Sequence, residues 1–308
     1  MQISDLNKDL EQLANLANAP KLKRFFHAPY KYTSAILDRM LVYPRNSKAK
    51  QVQASTFFGE KMQLLLPAST DIYLTGGKTH TSEIKLAKFM IHHLQEGDSC
   101  LDVGAHYGYF SLLAAHLVGE NGRVIAFEAA QNTFAILEQN TYLKPNVSAL
   151  HKAVADKDGT LTFHQFPNLF SEYNSLDIQQ YSQQAWFKEE EISKQEVEAV
   201  SLSNFLSSSK IEPRFIKIDV EGAEYQIIQG LEKYLRAEPR KIFIAMEYLC
   251  KARNNRAHQK AVNLMKQCGF QTHIISEKGY LEPCENADAF LEKTGSESDN
   301  VVFALPNF

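Results

Sequence analysis

From residue 83 onward, the chain alternates short apolar runs with amphipathic helical patterns, and this alternation restricts the fold more than any other feature. The strand-like runs include SCLDV, RVIAF, FIKIDV and KIFIAM, and the stretches between them carry apolar residues three and four positions apart. Strands separated by helices of this length imply right-handed βαβ units, in which helices cover both faces of a parallel sheet. The sequence therefore predicts an α/β fold.

Two segments depart from this alternation. Up to about residue 45 the pattern is helical, and QASTFFGEKMQLLL then indicates a hairpin around Gly59 and Glu60. Near the other end, FQTHIIS and NVVFAL are strand-like runs with no clear helix between them, so we expect a final antiparallel strand. The prediction is a seven-stranded, mostly parallel sheet with a terminal antiparallel strand in a domain of residues 81–308. A helical and hairpin extension, residues 1–80, precedes it.

The stretch LDVGAHYGYF, residues 101–110, forms the loop after the first strand of this sheet. Ligands of open parallel sheets bind beyond the carboxyl ends of the strands, so this loop lies at the mouth of a site, with Asp102 facing it. Gly104 permits a turn that other residues disfavour, and Gly108 allows a close approach where the next helix begins. A dinucleotide site would have a glycine where His106 stands, and the imidazole would obstruct a pyrophosphate.

An acidic residue, Glu128, ends the second strand about twenty residues after the glycine loop. An acid at this place accepts hydrogen bonds from both ribose hydroxyls of an adenine nucleoside. On its own, Glu128 is equally well explained as a solvated residue at a strand end. Combined with a glycine loop that does not suit a pyrophosphate, it points to S-adenosylmethionine, which has a ribose and an amino-acid tail but no phosphate.

The stretch KIDVEGAEYQIIQG places three acids, Asp219, Glu221 and Glu224, around the end of the fourth strand. Acids grouped at a sheet edge are costly to leave unpaired. They either surround a cation or a proton-transfer site, or they face water and cap the next helix. For Glu224 the two explanations are equal, whereas function is favoured for Asp219, on the strand itself.

At this point the sequence resembles a known family. LDVGAHYGYFSL, RVIAFEAA and FIKIDVEGAEYQIIQGL, with the lead-in SEIKLAKFMIHHLQEGD, are similar to the successive motifs of the FkbM-type S-adenosylmethionine-dependent methyltransferases. The resemblance covers about residues 80–250, and KIDVEGAE is its most specific part. It implies a Rossmann-like class I methyltransferase that methylates hydroxyl groups, commonly on sugars or polyketide-like products. The alternatives are a nicotinamide-dependent oxidoreductase and a non-catalytic methyltransferase-like scaffold.

The resemblance also implies roles for individual residues around S-adenosyl-L-methionine. The first loop would line the methionine end, the second strand end would hold the ribose, and the turn after the third strand would lie near the adenine. The implied cofactor-binding residues are Glu83, Asp102, Gly104, Ala105, His106, Gly108, Glu128, Ala129, Asp156 and Asp219. Two of them have equally good explanations: Asp156 as an ordinary turn residue, and Glu83 as an acid that stabilises a helix N-terminus.

Methyl transfer to oxygen requires an acceptor oxygen in line with the departing sulfur and a group that takes up its proton. Four candidates for the catalytic base are Asp219, Glu221, Glu247 at the end of IFIAME, and His106. A histidine beside an apolar run is more often structural. In an alternative arrangement, Asp219 and Glu247 bind a divalent metal ion that lowers the pKa of the acceptor. No ligand spacing in the sequence decides for a metal.

An insertion, residues 165–195, interrupts the alternation after the third strand. Its aromatic residues are Phe166, Phe170, Tyr173, Tyr181, Trp186 and Phe187. Aromatic side chains near strand ends suit a lid over a sugar or an apolar acceptor. A surface helix whose aromatic residues belong to the core is an equal explanation.

Charge is distributed unevenly along the chain. The net charge of −3 argues against generic nucleic-acid binding. Residues 21–50, here called the basic segment, hold eight lysines and arginines against Asp38, a formal charge of +7, which leaves −10 on the remainder. A solvated helical face is the favoured explanation. A peripheral contact with an anionic membrane or an acidic glycan is the sharper one.

The start of the chain, MQISDLNKDL, lacks the basic and apolar pattern of a signal peptide, and no apolar run approaches about 18 residues. The four cysteines are far apart and form no CxxC pair, as expected for thiols in a reducing compartment. We therefore expect a cytoplasmic protein, with peripheral membrane contact as an option through the basic segment.

Overall fold

In the described part of the first 80 residues, helices are followed by a hairpin, as the sequence predicts, and then by a short helix that it does not predict. The computed structural model describes residues 3–46, 48–174, 187, 192–238 and 241–306. Its first elements are α1 (Ile3–Ala17), α2 (Lys21–His27), α3 (Pro29–Leu37), a π-helical turn (Asp38–Val42), α4 (Tyr43–Asn46), β1 (Lys50–Ser55), β2 (Lys61–Leu66) and α5 (Thr70–Thr75). Strands β1 and β2 pair antiparallel. Among the described residues, we find no helix whose length and apolar character would let it cross a membrane.

Helices and strands then alternate, as the apolar pattern predicts. The elements up to the insertion are α6 (Thr81–His93), β3 (Ser99–Val103), α7 (Tyr109–Val118), β4 (Arg123–Glu128), α8 (Gln131–Thr141), β5 (Val147–His151), β6 (Ala153–Ala155), β7 (Gly159–Gln165) and a 3-10 turn (Asn168–Tyr173). Those after it are β8 (Ser193–Ser201), α9 (Leu202–Ser209), β9 (Phe215–Ile218), α10 (Glu224–Ala237), β10 (Phe243–Leu249), a 3-10 turn (Lys251–Arg253), α11 (Arg256–Gln267), β11 (Gln271–Ile275), β12 (Leu281–Pro283), α12 (Ala287–Thr294) and β13 (Ser298–Ala304).

The main sheet has the order β12-β11-β13-β10-β9-β3-β4-β5. Its central strands pair in parallel, and β13 runs antiparallel to both of its neighbours, β10 and β11. The predicted parallel sheet with an antiparallel last strand is therefore confirmed. The strand order reverses between β3 and β9, which is where open sheets of this kind bind ligands.

Strand and helix predictions are wrong in three places. The sheet has eight strands because β12 adds to its edge, and α12 lies between β11 and β13, where no helix was expected. Helix α12 has eight residues and buries only Ala287 and Leu291, so its apolar period is too short to stand out. Strands β7 and β8 were not expected either, and with β6 they form a separate three-stranded sheet. The sequence also predicts the third strand as one run from Ala149 to Val154, whereas the structure divides this run between the two sheets.

The N-terminal helices and the sheet share one hydrophobic core. Leu6, Leu10 and Leu13 of α1 are almost fully buried in the same cluster as Leu86 and Phe89 of α6. Helix α1 places these leucines on one face, because they recur three and four positions apart. The boundary predicted at residue 80 therefore runs through a continuous core.

The glycine loop after β3 packs tightly against the end of β9. Gly104 has φ of +80°, and a Cβ atom built on it would lie 1.8 Å from the backbone oxygen of Asp219. On the other side of the loop, the amide of Gly104 donates to the carbonyl of Phe127, at 3.0 Å. Gly104 thus serves the close approach of two backbone segments as well as the turn.

We expect Gly104→Ala to destabilise the protein far more than Gly269→Ala. Both glycines have a left-handed φ, which costs an alanine about 1–2 kcal/mol, but a Cβ on Gly269 would meet nothing within 4 Å. The difference between the two variants in the free energy of unfolding, measured with urea, therefore isolates the clash with Asp219. Equal losses of stability would show that the loop and β9 can separate without cost.

Candidate functional site

A cavity of about 720 Å³ opens beyond the carboxyl ends of the central strands, within the usual range for small-molecule sites. It is lined by the loops after β3, β4, β9 and β10 and by parts of the N-terminal extension. Nine predicted site residues line it: Glu83, Gly104, Ala105, His106, Glu128, Ala129, Asp219, Glu221 and Glu247. Residues far apart in the sequence thus meet in one place, as the parallel sheet requires.

Three predicted site residues do not line the cavity. Asp102 is 4% exposed and lies behind the wall, where it accepts a hydrogen bond of 2.6 Å from the Ser111 hydroxyl. Gly108, with φ of +88°, begins α7. Asp156 is exposed in the turn between β6 and β7. For Asp156 the structure fits the explanation as a turn residue, and the other two support the wall from behind.

Glu128 is fixed by two backbone amides. Its carboxylate accepts hydrogen bonds of 2.9 Å from the amides of His106 and Ala130, so it ties the end of β4 to the glycine loop. Burial raises its pKa to about 7, although these two amides oppose the shift. A carboxylate oxygen has two lone pairs, so each can accept a further hydrogen bond from a ligand in the cavity.

The loop after β9 turns sharply because two consecutive residues adopt a left-handed conformation, Glu221 with φ of +54° and Gly222 with φ of +105°. Backbone strain of this kind is common at functional sites. The turn directs Asp219 and Glu221 to the cavity. Glu224 has another role: its carboxylate accepts from the Gly222 amide, at 3.0 Å, and lies 3.3 Å from Nε2 of His258. It is fully buried outside the cavity lining, at the first position of α10.

Three carboxylates from two strand ends form a cluster in the cavity. One oxygen each of Asp219, Glu221 and Glu247 lies within 4.8 Å of the others, so the cluster has the donor set for a divalent ion. A guanidinium nitrogen of Arg253 lies 3.8 Å from Glu221. Oε2 of Glu247 is enclosed and has no hydrogen-bond partner in the described part of the chain. Burial, followed by the charges of Glu221 and Asp219, raises the pKa of Glu247 well above its usual value.

Lys217, inside β9, is a site residue that sequence reasoning missed. Its side chain is 4% exposed, and Nζ lies 3.4 Å from Asp102 and 3.1 Å from Asp219. Burial alone would favour the neutral amine, but these two carboxylates raise the pKa of Lys217 above its usual value. A signal was present in the sequence, because a lysine between two isoleucines of a buried strand needs a charged partner.

The N-terminal extension and the insertion contribute a second polar group to the cavity. Nζ of Lys78 lies 3.2 Å from Glu83 and 2.9 Å from Glu172, and all three line the cavity. Burial raises the pKa of Glu83 to about 7, although the Lys78 ammonium opposes this shift. Lys78 and Glu172 are 94 residues apart, and no local pattern in the sequence indicates their contact.

The imidazole of His106 lies against this polar group. Its Nε2 is 3.1 Å from the Ser171 hydroxyl, and its ring lies against that of Tyr107, with centroids 3.9 Å apart. Burial lowers its pKa to about 4, so the ring is neutral near pH 7. His106 has φ of +50°, so its backbone turns where a glycine would be expected. It is a weak proton acceptor, which agrees with a structural role.

The start of the insertion, residues 165–174, reaches the cavity. Ser171, Glu172 and Asn174 line it, and Phe166 is buried beside Phe187, with ring centroids 6.3 Å apart. Of the other residues named for a lid, Tyr181 and Trp186 lie outside the described residues, as does the side chain of Tyr173. The lid over the acceptor stays a prediction.

Comparison with known families agrees with this geometry. The profile of the Methyltransferase FkbM domain matches residues 102–272, more than half of the chain. The chain belongs to the FkbM methyltransferase family. The match includes the glycine loop, Glu128 and the carboxylate turn after β9, and it decides for an S-adenosylmethionine-dependent methyltransferase over an oxidoreductase or a scaffold.

Other comparisons give weaker likenesses. A protein-L-isoaspartate(D-aspartate) O-methyltransferase profile matches residues 35–168. The comparison of this chain with curated proteins found no match. A methyltransferase FkbM from Methylobacillus flagellatus has 10% identity and a TM-score of 0.40, covering 77% of this chain and 52% of its own. An S-adenosylmethionine-dependent O-methyltransferase from Thermotoga maritima has 15% identity and a TM-score of 0.40, covering 82% of this chain and 77% of its own.

The cavity of this FkbM methyltransferase fits the cofactor of its family. Glu128 presents a carboxylate at the place where the ribose hydroxyls of S-adenosylmethionine would bind. Asp219 and Glu221 give the lining a negative charge that suits a sulfonium, and His106 occupies the position where a pyrophosphate site needs glycine. When bound, the cofactor supplies an electrophilic methyl group.

We expect the affinity for S-adenosylmethionine to rise with pH through about 7. Only the ionised form of Glu128, whose pKa is about 7, accepts hydrogen bonds from both ribose hydroxyls with full strength. Hydrogen bonds to a charged acceptor contribute roughly 1.5–3 kcal/mol each, so Glu128→Gln should weaken binding at least tenfold at pH 8. Isothermal titration calorimetry at several pH values measures this.

The control is the same series of calorimetric titrations with Glu128→Gln. The amino group of the cofactor titrates in the same way with both proteins. The difference between the two pH profiles therefore belongs to Glu128. Parallel profiles for the two proteins would exclude Glu128 from ribose binding.

Proposed function

We propose that this methyltransferase transfers a methyl group from S-adenosylmethionine to a hydroxyl of a sugar, glycan or related natural product. The observation that carries the proposal is the carboxylate cluster of Asp219, Glu221 and Glu247, which lies in the same cavity as Glu128. Carboxylates accept hydrogen bonds from hydroxyls and take up protons, and methylation of a hydroxyl needs both. A cluster of several carboxylates suits an acceptor with several neighbouring hydroxyls.

Asp219 is the catalytic base in this proposal. Its side chain is 39% exposed, so an acceptor in the cavity can reach its carboxylate. The Lys217 ammonium lies 3.1 Å from this carboxylate and holds it in position. Burial raises the pKa of Glu247 well above its usual value, and Nε2 of His106 faces the Ser171 hydroxyl, at 3.1 Å. Asp219 would accept the proton of the acceptor hydroxyl at its carboxylate, while the bound cofactor would supply the methyl group.

Two of the three carboxylates already face a cationic side chain of the protein. Lys217 lies beside Asp219, and Arg253 lies beside Glu221. These two side chains supply positive charge at the cluster without a metal ion, although Lys217 is shared with Asp102. We therefore favour proton transfer by the cluster over the alternative in which it binds a divalent ion.

The proposal is tested by incubating the protein with isotope-labelled S-adenosylmethionine and a panel of oligosaccharides, glycolipids and cell extracts. Mass spectrometry then identifies the labelled product and the atom that carries the methyl group. A label on a sugar hydroxyl is the expected result. A label confined to nitrogen, carbon or a carboxylate would overturn the assignment of the acceptor while leaving the methyltransferase intact.

We expect Asp219→Asn to lower turnover about 10²- to 10⁴-fold, the usual contribution of a general base, with affinity for the cofactor unchanged within severalfold. Turnover is measured with the labelled cofactor, and affinity by calorimetry. Asp5→Asn, on the exposed first turn of α1, is the matched control and should retain full turnover. A fully active Asp219→Asn enzyme would remove this residue from the mechanism.

We expect turnover to survive prolonged treatment with EDTA, because Lys217 and Arg253 already place positive charge beside Asp219 and Glu221. The assay compares chelated enzyme with chelated enzyme supplied again with Mg²⁺ or Mn²⁺. If EDTA abolished turnover and either ion restored it, the cluster would be a divalent metal site. Asp219, Glu221 and Glu247 would then be its ligands.

A further inference from the structure

The basic segment exposes most of the large apolar side chains that lie on the described surface. Twelve such side chains are exposed in the described part of the chain, and eight of them belong to this segment: Leu22, Phe26, Tyr30, Ile36, Leu37, Met40, Leu41 and Val42. In the same segment, the described residues that are buried are Ala35, Asp38 and Tyr43. Apolar side chains concentrated in this way on a surface mark a site of contact.

The same surface is strongly basic. The segment has eight lysines and arginines, and its one acid, Asp38, is only 3% exposed. Lys21, Lys23, Arg39 and Arg45 are all exposed among the apolar side chains. Helices that combine exposed apolar residues with lysine and arginine are typical of those that lie in a membrane interface. Anionic headgroups attract such a segment at short range.

We propose that the basic segment docks on the surface of an anionic membrane. A second copy of the chain fits this surface poorly, because a two-fold contact would place two basic surfaces against each other. An acidic glycan would neutralise the charge but leave side chains such as Phe26 and Met40 in water. A bilayer interface satisfies both properties, because the apolar side chains enter the acyl boundary while the basic ones stay with the headgroups.

The segment also borders the cavity. Arg24 and Arg39 both line it, and Nε of Arg24 is enclosed without a hydrogen-bond partner in the described part of the chain. Docking would therefore bring the rim of the cavity to the headgroup layer. This step rests on the proposed function. A cavity rim at the headgroup layer favours an acceptor hydroxyl that is carried by a lipid, such as a glycolipid, over a free sugar.

The test measures flotation of the full-length protein with vesicles of phosphatidylcholine alone or mixed with phosphatidylglycerol. We expect at least tenfold stronger binding to the anionic vesicles at low salt. Most of this difference should disappear at about 1 M salt, where the screening length is about 3 Å. Equal binding to both vesicles, or binding to neither, would overturn the proposal.

Two variants separate the apolar and the charged contributions. Phe26→Ser/Met40→Ser removes two side chains that are 69% and 70% exposed, and Lys21→Glu/Lys23→Glu reverses two charges. Each should weaken binding to the anionic vesicles at least tenfold, with thermal unfolding and cofactor affinity unchanged.

The matched control is Tyr142→Ser/Leu143→Ser, which removes equally exposed apolar side chains outside the basic segment, at 82% and 83% exposure. This variant should bind as the original protein does, and a comparable loss of binding would contradict docking through the basic segment. A lipid-free dimer that Phe26→Ser/Met40→Ser disrupts would assign the surface to a second copy. Binding to dextran sulfate but not to vesicles would assign it to an acidic glycan.

Activity separates this proposal from the proposed function. Methylation of free oligosaccharides by a protein that floats with anionic vesicles would support docking and overturn the lipid-borne acceptor. Vesicle binding does not require turnover, so its failure would leave the sugar O-methyltransferase standing. Failure of sugar methylation, conversely, would leave the membrane contact standing.

Discussion

The ion pairs of Lys217 join the two central strands of the sheet at the point where the cavity begins. The ammonium lies 3.4 Å from Asp102 on β3 and 3.1 Å from Asp219 just beyond β9. Removing one partner of a buried ion pair costs about 3–5 kcal/mol, because the remaining charge has no solvent. The carbonyl of the same Asp219 packs against Gly104, so the geometry of the glycine loop and the position of the proposed base depend on each other.

The N-terminal extension completes a site that the methyltransferase fold begins. Lys78, which precedes α6, forms ion pairs with Glu83 on α6 and with Glu172 from the insertion, so three segments meet over the mouth of the cavity. Leucines of α1 hold the extension in the main core. The basic segment follows α1 directly in the chain, and its own Ala35 packs in the same core.

Burial divides the ionisable groups of the cavity into two kinds. His106 is neutral near pH 7, and the pKa of Glu247 is raised well above its usual value, because burial disfavours the charged form of both. Asp219 and Glu221, by contrast, lie beside the cationic side chains of Lys217 and Arg253. An acceptor hydroxyl thus meets both hydrogen-bond donors and a carboxylate at one end of the cavity. This division, more than the number of acids, suits the site to proton transfer.

The sequence by itself determined the α/β class, the central strands and the chemistry of their ends. It could do so because apolar periods are local, and because parallel strands bring their carboxyl ends to one edge: Glu128, Asp219 and Glu247 meet there as expected. Tertiary structure decided what depends on distant contacts. Asp102 and Gly108 lie behind the cavity wall and do not line it, since burial follows from what packs behind a loop.

Local sequence patterns did not indicate the polar contacts in the site either. Lys78 and Glu172 lie 94 residues apart in the chain, and only the packing of the extension brings them together. Short or half-exposed elements, such as β7, β8 and α12, bury too few residues to show a period of their own. The membrane proposal likewise depends on the fold. The sequence shows that the basic segment contains both charged and apolar residues, but only the fold shows that Phe26 and Met40 are exposed.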